Sequence, residues 1–264
     1  MYYIIQENVF REPNYDNIFI VLEKLNLPFE IVKIEPFAEN FEVKTELENV
    51  FVYGSVKLAK IAQQYNFKPG SYYGGNHSFE VYSKYYGNNL LNYDSEIAEF
   101  GHNLKWEVGE EKFIRPSRDA KVFTGKKFTE IKWNDFVEQA LNSKENTLLN
   151  RDTKIQITKP KKIYKEARVW IVGGKVATSS YYLFHGNIEF EENVDIEGIN
   201  FAEKMTKIYE VADAFVMDIC LTSEGWKIVE INCVNSAGFY KADIEKLIIA
   251  LEEKLNVKKI TTNA

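Results

Sequence analysis

The sequence is poor in the residues and motifs that usually announce catalytic chemistry. Its only cysteines are Cys220 and Cys233, and its only histidines are His77, His102 and His185. Neither set has the spacing of a zinc site, and two cysteines without a CxxC pair build no disulfide framework. There is no GxxxxGK[ST] phosphate loop, no GxGxxG run opening a helix, no kinase signature set and no GxSxG nucleophile elbow. Long apolar runs are missing too: nothing approaches the ~20 residues that span a bilayer. The start, MYYIIQENVF, lacks the basic and apolar regions of a signal peptide. These absences set aside zinc, P-loop, dinucleotide and serine-hydrolase chemistry. They lead us to expect a cytoplasmic protein with no membrane partner. The net charge of −6 argues against a chain whose whole surface binds nucleic acid.

What is present suits a globular protein. Apolar residues make up 45% of 264 positions and are spread evenly, enough for one large or two modest domains. Tyr2–Ile5, Phe29–Ile34 and Val50–Tyr53 read as strands. Helices are expected over Asn17–Leu25, where Ile18, Val21, Leu22 and Leu25 recur at helical spacing, and over Lys57–Tyr65. That rhythm is a small parallel α/β unit. The turn-rich GSYYGGN (70–76) interrupts it. A second unit has expected strands at Phe113–Arg115, Val122–Phe123 and Ile155–Ile157, with a helix over Asp135–Leu141 capped by Asn134. Two hairpins follow: Lys165–Val172 with Lys175–Leu183 about Gly173-Gly174, and Ala214–Leu221 with Trp226–Asn232. Between them a helix is expected over Phe201–Ala212, and a helix over Lys241–Leu255 closes the chain.

The second hairpin, AFVMDICLTSEGWKIVEIN, carries the main chemical signal. Side chains alternate along a strand, so Glu230 and Asn232 share a face. A three-residue loop, Ser223-Glu224-Gly225, with Gly225 left-handed, pairs Thr222 with Trp226, Cys220 with Ile228 and Asp218 with Glu230. The two carboxylates then stand about 5 Å apart at Cβ, and a one-residue slip would separate them. Carboxylates facing each other repel, so a cation should lie between them. Oxygen donors without His or Cys suit magnesium, which makes Asp218, Glu230 and Asn232 the candidate metal ligands. Beyond the strand, Cys233–Gly238 is small and polar and opens onto a helix. Its backbone N–H groups can face an anion, with Asn235 as a candidate contact.

Basic residues cluster elsewhere in this acidic chain. Lys112, Arg115, Arg118, Lys121, Lys126 and Lys127 stand against the single acid Asp119 within 112–127, and 151–175 is also basic. Arg115 and Arg168 differ from the rest because they lie inside expected strands among apolar neighbours. An arginine there needs an anionic partner, either phosphate or a carboxylate such as Glu166, which shares the face of Arg168 and Trp170.

Taken in chain order, these elements resemble the ATP-grasp superfamily. The matching stretches are Phe113–Gly125 as basic strand and phosphate loop, Ile155–Lys159 as interdomain segment, Glu166-Ala167-Arg168 as the Glu-x-Arg strand, and Asp218 with Glu230-Ile231-Asn232 as the metal strands. Arg-Pro followed by Lys and Phe-Thr-Gly resembles a bacterial and phage branch in which arginine replaces the usual strand lysine. The resemblance implies an α+β ATP-grasp fold, two α+β subdomains clamping the nucleotide over 86–160 and 161–264, behind a small α/β domain over 1–85. It implies ATP and Mg2+ as cofactors, phosphate contacts from Arg115 and Lys121, and adenine contacts from Gln156, Ile157 and Lys159. Arg168 would contact the γ-phosphate or an acyl phosphate, so Arg168 and Lys121 are the catalytic candidates. The implied activity is a carboxylate–amine ligase acting through an acyl phosphate, with an amino acid, peptide or protein as acceptor or donor. Phosphoryl transfer on the same site is an alternative. So is a non-catalytic nucleotide- or nucleic-acid-binding module using the basic segment 151–175.

Overall fold

A computed structural model describes residues 1–7, 9, 12, 14–35, 47, 49–117, 122–143 and 149–256. The first unit is a parallel sheet in the order β2-β1-β3-β4, built from β1 (Tyr2–Gln6), β2 (Phe29–Val32), β3 (Asn49–Tyr53) and β4 (Lys68–Gly70). Helices α1 (Asn17–Lys24) and α2 (Val56–Gln64) connect the strands. Alternation fixes what each face does. Ile4, Val50 and Val52 pack on Leu58, Ile61 and Ala62 of α2, while Tyr3, Ile5, Phe51 and Tyr53 face α1. The α/β unit expected from the sequence is therefore present, with β4 as an added edge strand.

Helix α3 (Phe79–Tyr86) follows, and then the second sheet, β5-β8-β6-β7: β5 (Glu96–Glu99), β6 (Lys112–Pro116), β7 (Lys126–Phe128) and β8 (Lys154–Thr158). One face buries Ile114, Phe128, Ile155 and Ile157 under α4 (Glu130–Asn142). That helix starts at Glu130 with Thr129 as N-cap, not at Asp135 after Asn134. Trp133, Phe136, Val137, Ala140 and Leu141 form one continuous helical stripe, so its first apolar member lies ahead of Asn134. Val122 and Phe123 form no strand. They are loop residues against the same core, Phe123 meeting the rings of Phe100 and Phe136.

The third sheet is antiparallel, in the order β11-β10-β9-β12-β13. Its strands are β9 (Lys165–Val172), β10 (Lys175–Phe184), β11 (Asn187–Glu191), β12 (Ala214–Thr222) and β13 (Gly225–Asn232), with helices α5 (Ile196–Ile208) and α6 (Ile244–Leu255). Gly173 and Gly174 both take positive φ, 56° and 75°, closing the β9–β10 hairpin as expected. Helix α5 begins five residues before Phe201 and includes Gly198. A Cβ at 198 would meet the Trp226 ring at 2.9 Å, so this glycine permits close packing rather than ending the helix. One face of the sheet buries Ala167, Val169, Ile171, Phe215, Met217 and Ile219 against α5 and α3. The expected boundary at residue 85 thus falls inside a helix that packs on the third sheet.

The first and third units share a core. Tyr3, Ile5, Phe51 and Tyr53 meet Trp170, Val216 and the Ile244, Leu247, Ile248 and Leu251 face of α6. Polar ties reinforce the seam: Tyr3 Oη donates to Glu252 at 2.8 Å, and the N-terminal ammonium lies 2.9 Å from the same carboxylate. Asn235 is fully buried at this seam. Its Nδ2 donates to Val52 O (2.7 Å) and Gly70 O (3.1 Å), and its Oδ1 accepts from Tyr72 N (2.9 Å). Among the described residues no helix is long and apolar enough to cross a membrane. Because Asn235→Ala strands several buried backbone groups at once, we expect it to cost about 2–4 kcal/mol. Urea denaturation followed by far-UV circular dichroism checks this, and an unchanged midpoint would remove Asn235 from the seam.

Candidate active site

The face of the third sheet opposite α5 gathers the candidate residues. Asp218 of β12 pairs across the ladder with Glu230 of β13 and, on its other side, with Arg168 of β9, while Val216 pairs with Asn232. The Asp218–Glu230 register is the one expected, but the turn reaches it by another route. Thr222 pairs with Gly225, and Cys220 with Lys227, one residue out of step with the expected pairs. Gly225 does adopt positive φ, 98°. A β-bulge at Val229 then absorbs the extra residue, so Ile219 faces Ile228 while Asp218 still faces Glu230. The sequence contains the reason. Ile228 and Ile231 are three apart, and both are buried in the α5-side core. A regular strand cannot point both to one face. The bulge allows it, and keeps Glu230 and Asn232 on the other side.

Two guanidiniums meet the two carboxylates. Arg168 Nε and Nη2 each lie 2.8 Å from an Asp218 oxygen in a bidentate pair, and Asp218 is 1% exposed. Arg168 Nη1 also donates to Gly238 O at 3.3 Å, and its guanidinium carbon lies 4.8 Å from the Tyr240 ring centre. Burial alone would lower the Arg168 pKa. The adjacent Asp218 charge and hydrogen bonds outweigh it and raise the pKa above the ordinary arginine range. Arg115, from β6, forms an ion pair with Glu230. The carboxylate repulsion anticipated from the sequence is thus relieved by arginines. Glu166 is not the partner of Arg168; it accepts from Tyr182 Oη at 2.6 Å. Burial pushes the Glu166 carboxyl above its usual range.

Asn232 Nδ2 donates to Asp218 Oδ2 and to Glu230 Oε1, both at 3.1 Å. Two carboxylate oxygens therefore converge on one point beside an amide. Amide nitrogen and oxygen are assigned from such networks, and the rotated amide would present its oxygen there instead. Two carboxylates and an amide oxygen form a hard donor set that fits magnesium. Among the described residues no cluster of three or more His, Cys, Asp or Glu side chains is placed to hold a metal, because the third donor here is an amide.

The other candidates are distributed unevenly. Gln156 sits opposite Arg115 in the β8–β6 ladder, is buried, donates to Ser95 Oγ at 2.8 Å, and lines a small pocket with Arg115, Ser117 and Glu230. Ile157 points to the opposite face, into the α4 core, and Lys159 is exposed just past β8. The side chain of Asn235 is spent on the first sheet. Lys121 lies outside the described residues. Backbone N–H groups near the α6 entry do hold an anion, but they belong to Phe239 and Tyr240, and the anion is the Glu12 carboxylate, 3.0 Å from Tyr240 N. Gly238 makes room for it, since a Cβ there would meet Glu12 Oε2 at 2.9 Å. Both cysteines are buried, and burial pushes the Cys220 thiol pKa up, away from nucleophilic use.

Sequence reasoning missed a pocket of about 270 Å3 between the β12–β13 turn and the segments around Tyr93 and Lys161. Leu91, Tyr93, Lys161, Lys162 and Lys227 line it. Lys227 joins the site face only through the turn's odd register, and the Ile228–Ile231 spacing was the available signal. The segment before Tyr93 is held by Leu91 N donating to Ile228 O (2.8 Å) and Lys227 Nζ donating to Asn88 O (2.9 Å). No sequence period marks it.

The raised Glu166 pKa has a consequence for stability. Above its folded-state pKa the charged, desolvated carboxylate is a cost of folding; below the ordinary glutamate range both folded and unfolded chains carry it protonated. Glu166→Gln should therefore raise the melting temperature at pH 7–8, with the gain shrinking as pH falls through the glutamate range. Thermal scans against pH would show this, and a gain that grew on acidification would contradict it.

Residues 89–251, more than half of the chain, match the model of an ATP-grasp domain family, family 3 of the R-2-K clade. No curated protein sequence is significantly similar. In solved structures the chain is similar to a D-alanine–D-alanine ligase from Bacillus anthracis, with TM-score 0.59 and 12% identity over 96% of this chain and 97% of that one. It is also similar to the D-cycloserine synthetase DcsG (0.57, 8%, covering 96% and 98%) and to the ATP-grasp ligase PsnB with a minimal precursor (0.55, 11%, covering 94% and 96%). At such identities these neighbours establish the fold, and the three sheets described above are that fold. Family match and architecture agree: the chain belongs to the ATP-grasp domain family 3 of the R-2-K clade.

Proposed function

We propose that the protein is an ATP-dependent carboxylate–amine ligase whose site is the Asp218–Glu230–Asn232 face with Arg115 and Arg168. One observation carries this reading. Three oxygen-bearing side chains converge on one point, flanked by two arginines, where the second and third sheets meet. Among the structural neighbours, the same D-alanine–D-alanine ligase has been solved with ATP, and PsnB with a precursor peptide and AMPPNP. That supports ATP as the nucleotide here and makes amino acids or peptides the first substrates to try.

The two ion pairs differ in a way that suits this role. Arg168–Asp218 lies within one sheet, with side chains 11% and 1% exposed. Arg115–Glu230 bridges two sheets, with side chains 20% and 22% exposed. The first is a fixed element that positions Asp218 and keeps a positive charge at the sheet surface. The second is the more exchangeable: each of its side chains reaches solvent, so water can replace the lost partner. On nucleotide entry Arg115 would leave Glu230 for a phosphate oxygen, and the Glu230 carboxylate, with Asp218 and Asn232, would be the set that holds magnesium. A magnesium ion held there would supply charge neutralisation to the phosphate oxygens. The Tyr93–Lys161–Lys227 pocket would receive the base end of the nucleotide.

The substrate carboxylate then attacks the γ-phosphorus, ADP departs, and an acyl phosphate forms. An amine adds to the acyl carbon, loses a proton and expels phosphate, leaving an amide. Alignment and charge neutralisation do this work without a protein nucleophile, in keeping with the burial of both cysteines. Glu230→Gln should reduce turnover at least about 100-fold while leaving the fold intact. Asp218→Asn is a poorer probe, because it also loosens the buried Arg168 and should lower stability. A panel of amino acids and peptides, assayed for ATP-dependent phosphate release with mass spectrometry of the products, tests the reading. A phosphorylated product without amide would reassign the reaction to phosphoryl transfer. Wild-type turnover in Glu230→Gln would sink the metal site.

A further inference from the structure

The pocket beside Arg115 and Glu230 has a member from outside the family-matched segment. His77 closes the short Gly75–His77 turn after GSYYGG, where Gly74 takes φ 90°. It is 6% exposed and lines the pocket with Arg115, Ser117, Gln156 and Glu230. The turn is pinned on two sides. Asn76 Nδ2 donates to Val211 O at 3.1 Å, on the third unit, and Phe79 N donates to Ser117 O at 3.2 Å, at the end of β6. His77 is thus held between the two sheets that meet at the candidate site.

Its ring orientation is fixed as well. Nδ1 lies 2.9 Å from Gly74 O. A carbonyl only accepts, so Nδ1 carries the proton, and Nε2 is the nitrogen directed away from the turn. Acidic groups stand nearby. Glu230 lines the same pocket. Glu80 stands behind it, taking a hydrogen bond from Ser117 Oγ at 3.1 Å on one oxygen, while its other oxygen is buried with no partner among the described residues. Among the described residues Arg115 is the one guanidinium lining the pocket, and it is already committed to Glu230.

We propose that His77 is a phosphate-binding residue of the nucleotide site: Nδ1–H anchored on Gly74 O, Nε2–H donating to a phosphate oxygen beside Arg115. This rests on the ATP reading above. It adds to that site a residue supplied by the connection between the first unit and α3. When Arg115 exchanges Glu230 for phosphate, the pocket gains anionic charge, and a second donor beside Arg115 meets part of it.

Two variants separate this role from a structural one. In His77→Asn the amide nitrogen can replace Nδ1 at Gly74 O but cannot reach the pocket. In His77→Gln the amide nitrogen extends to the Nε2 position. Isothermal titration with Mg-ATP, Mg-ADP and adenosine should show His77→Asn weakened about ten-fold or more for ATP, unchanged for adenosine, and His77→Gln near wild type. Wild-type ATP affinity in His77→Asn overturns the proposal. So does the reverse order, with His77→Gln the weaker binder and the lower-melting protein, since that marks the Gly74 contact as the residue's whole role. Failure of the wild-type protein to bind ATP at all would instead remove the ligase reading, and this inference with it.

Discussion

The bidentate Arg168–Asp218 pair is the constraint around which the rest of the site is arranged. A carboxylate that is 1% exposed needs a counter-charge, and a guanidinium that is mostly withdrawn from solvent needs one equally. Each is the other's, across adjacent strands. Breaking such a pair by removing one partner typically costs about 3–5 kcal/mol, so the β9–β12 register is strongly held. The third hydrogen-bonding nitrogen of Arg168 goes to Gly238 O, and its face lies on Tyr240. The loop into α6 is therefore placed by the same side chain. Tyr240 sits at φ 54°, a costly conformation for a residue with a Cβ, and its N–H is satisfied by Glu12 of the first unit. One arginine thus links a strand register, a loop conformation and the docking of a distant segment.

The second pair, Arg115–Glu230, has the opposite character, and the contrast gives the site its logic. Both ends are partly solvated, and they sit on different sheets, so separating them exposes little apolar surface and breaks no ladder. Of the two cationic contacts to the candidate metal ligands, the one that can be surrendered belongs to the second sheet. The one that cannot belongs to the third. Under the proposed function the site would admit a polyanion and a divalent cation together, which calls for an exchange that keeps charges matched throughout. An arginine passing from carboxylate to phosphate, as the carboxylate passes from arginine to metal, is such an exchange.

Much of this was legible in the sequence, for reasons that differ by residue. Glu230 and Asn232 share a face because strand side chains alternate, and no tertiary knowledge is needed. Placing Asp218 opposite Glu230 required a turn, and the reading was right about the pair while wrong about the route. The turn is shifted by one residue and the Val229 bulge shifts it back. Bulges are hard to read because they depend on which of two apolar residues must be buried, and Ile228 and Ile231 settle that only once the α5 core is known. Asn235 stands among small polar residues before a helix, a pattern that suits an anion contact. Its amide is instead consumed by three backbone groups of the first unit, contacts 163 to 183 residues away in sequence that no local pattern announces. His77 and Tyr93 lie in segments without period, where sequence has least to say and where loops carry binding groups.

The same long-range ties explain how a fold built on three sheets can hold a site between only two of them. The first and third units are fused by a common core running from Tyr3 and Phe51 through Trp170 to α6. Asn235, Glu12 and the Met1–Glu252 pair bind that seam with polar contacts. The second sheet has a separate core around Trp133 and Phe100. Its contacts to the rest include Arg115–Glu230 and the Phe79–Ser117 hydrogen bond. Displacing it leaves both cores intact, whereas displacing the first unit from the third would expose a shared one. The second sheet is therefore the unit that could shift without opening either core. Arg115 and Gln156 belong to that sheet; Asp218, Asn232 and Arg168 belong to the third. The candidate phosphate contacts and the candidate metal ligands thus fall on opposite sides of the boundary between the two cores.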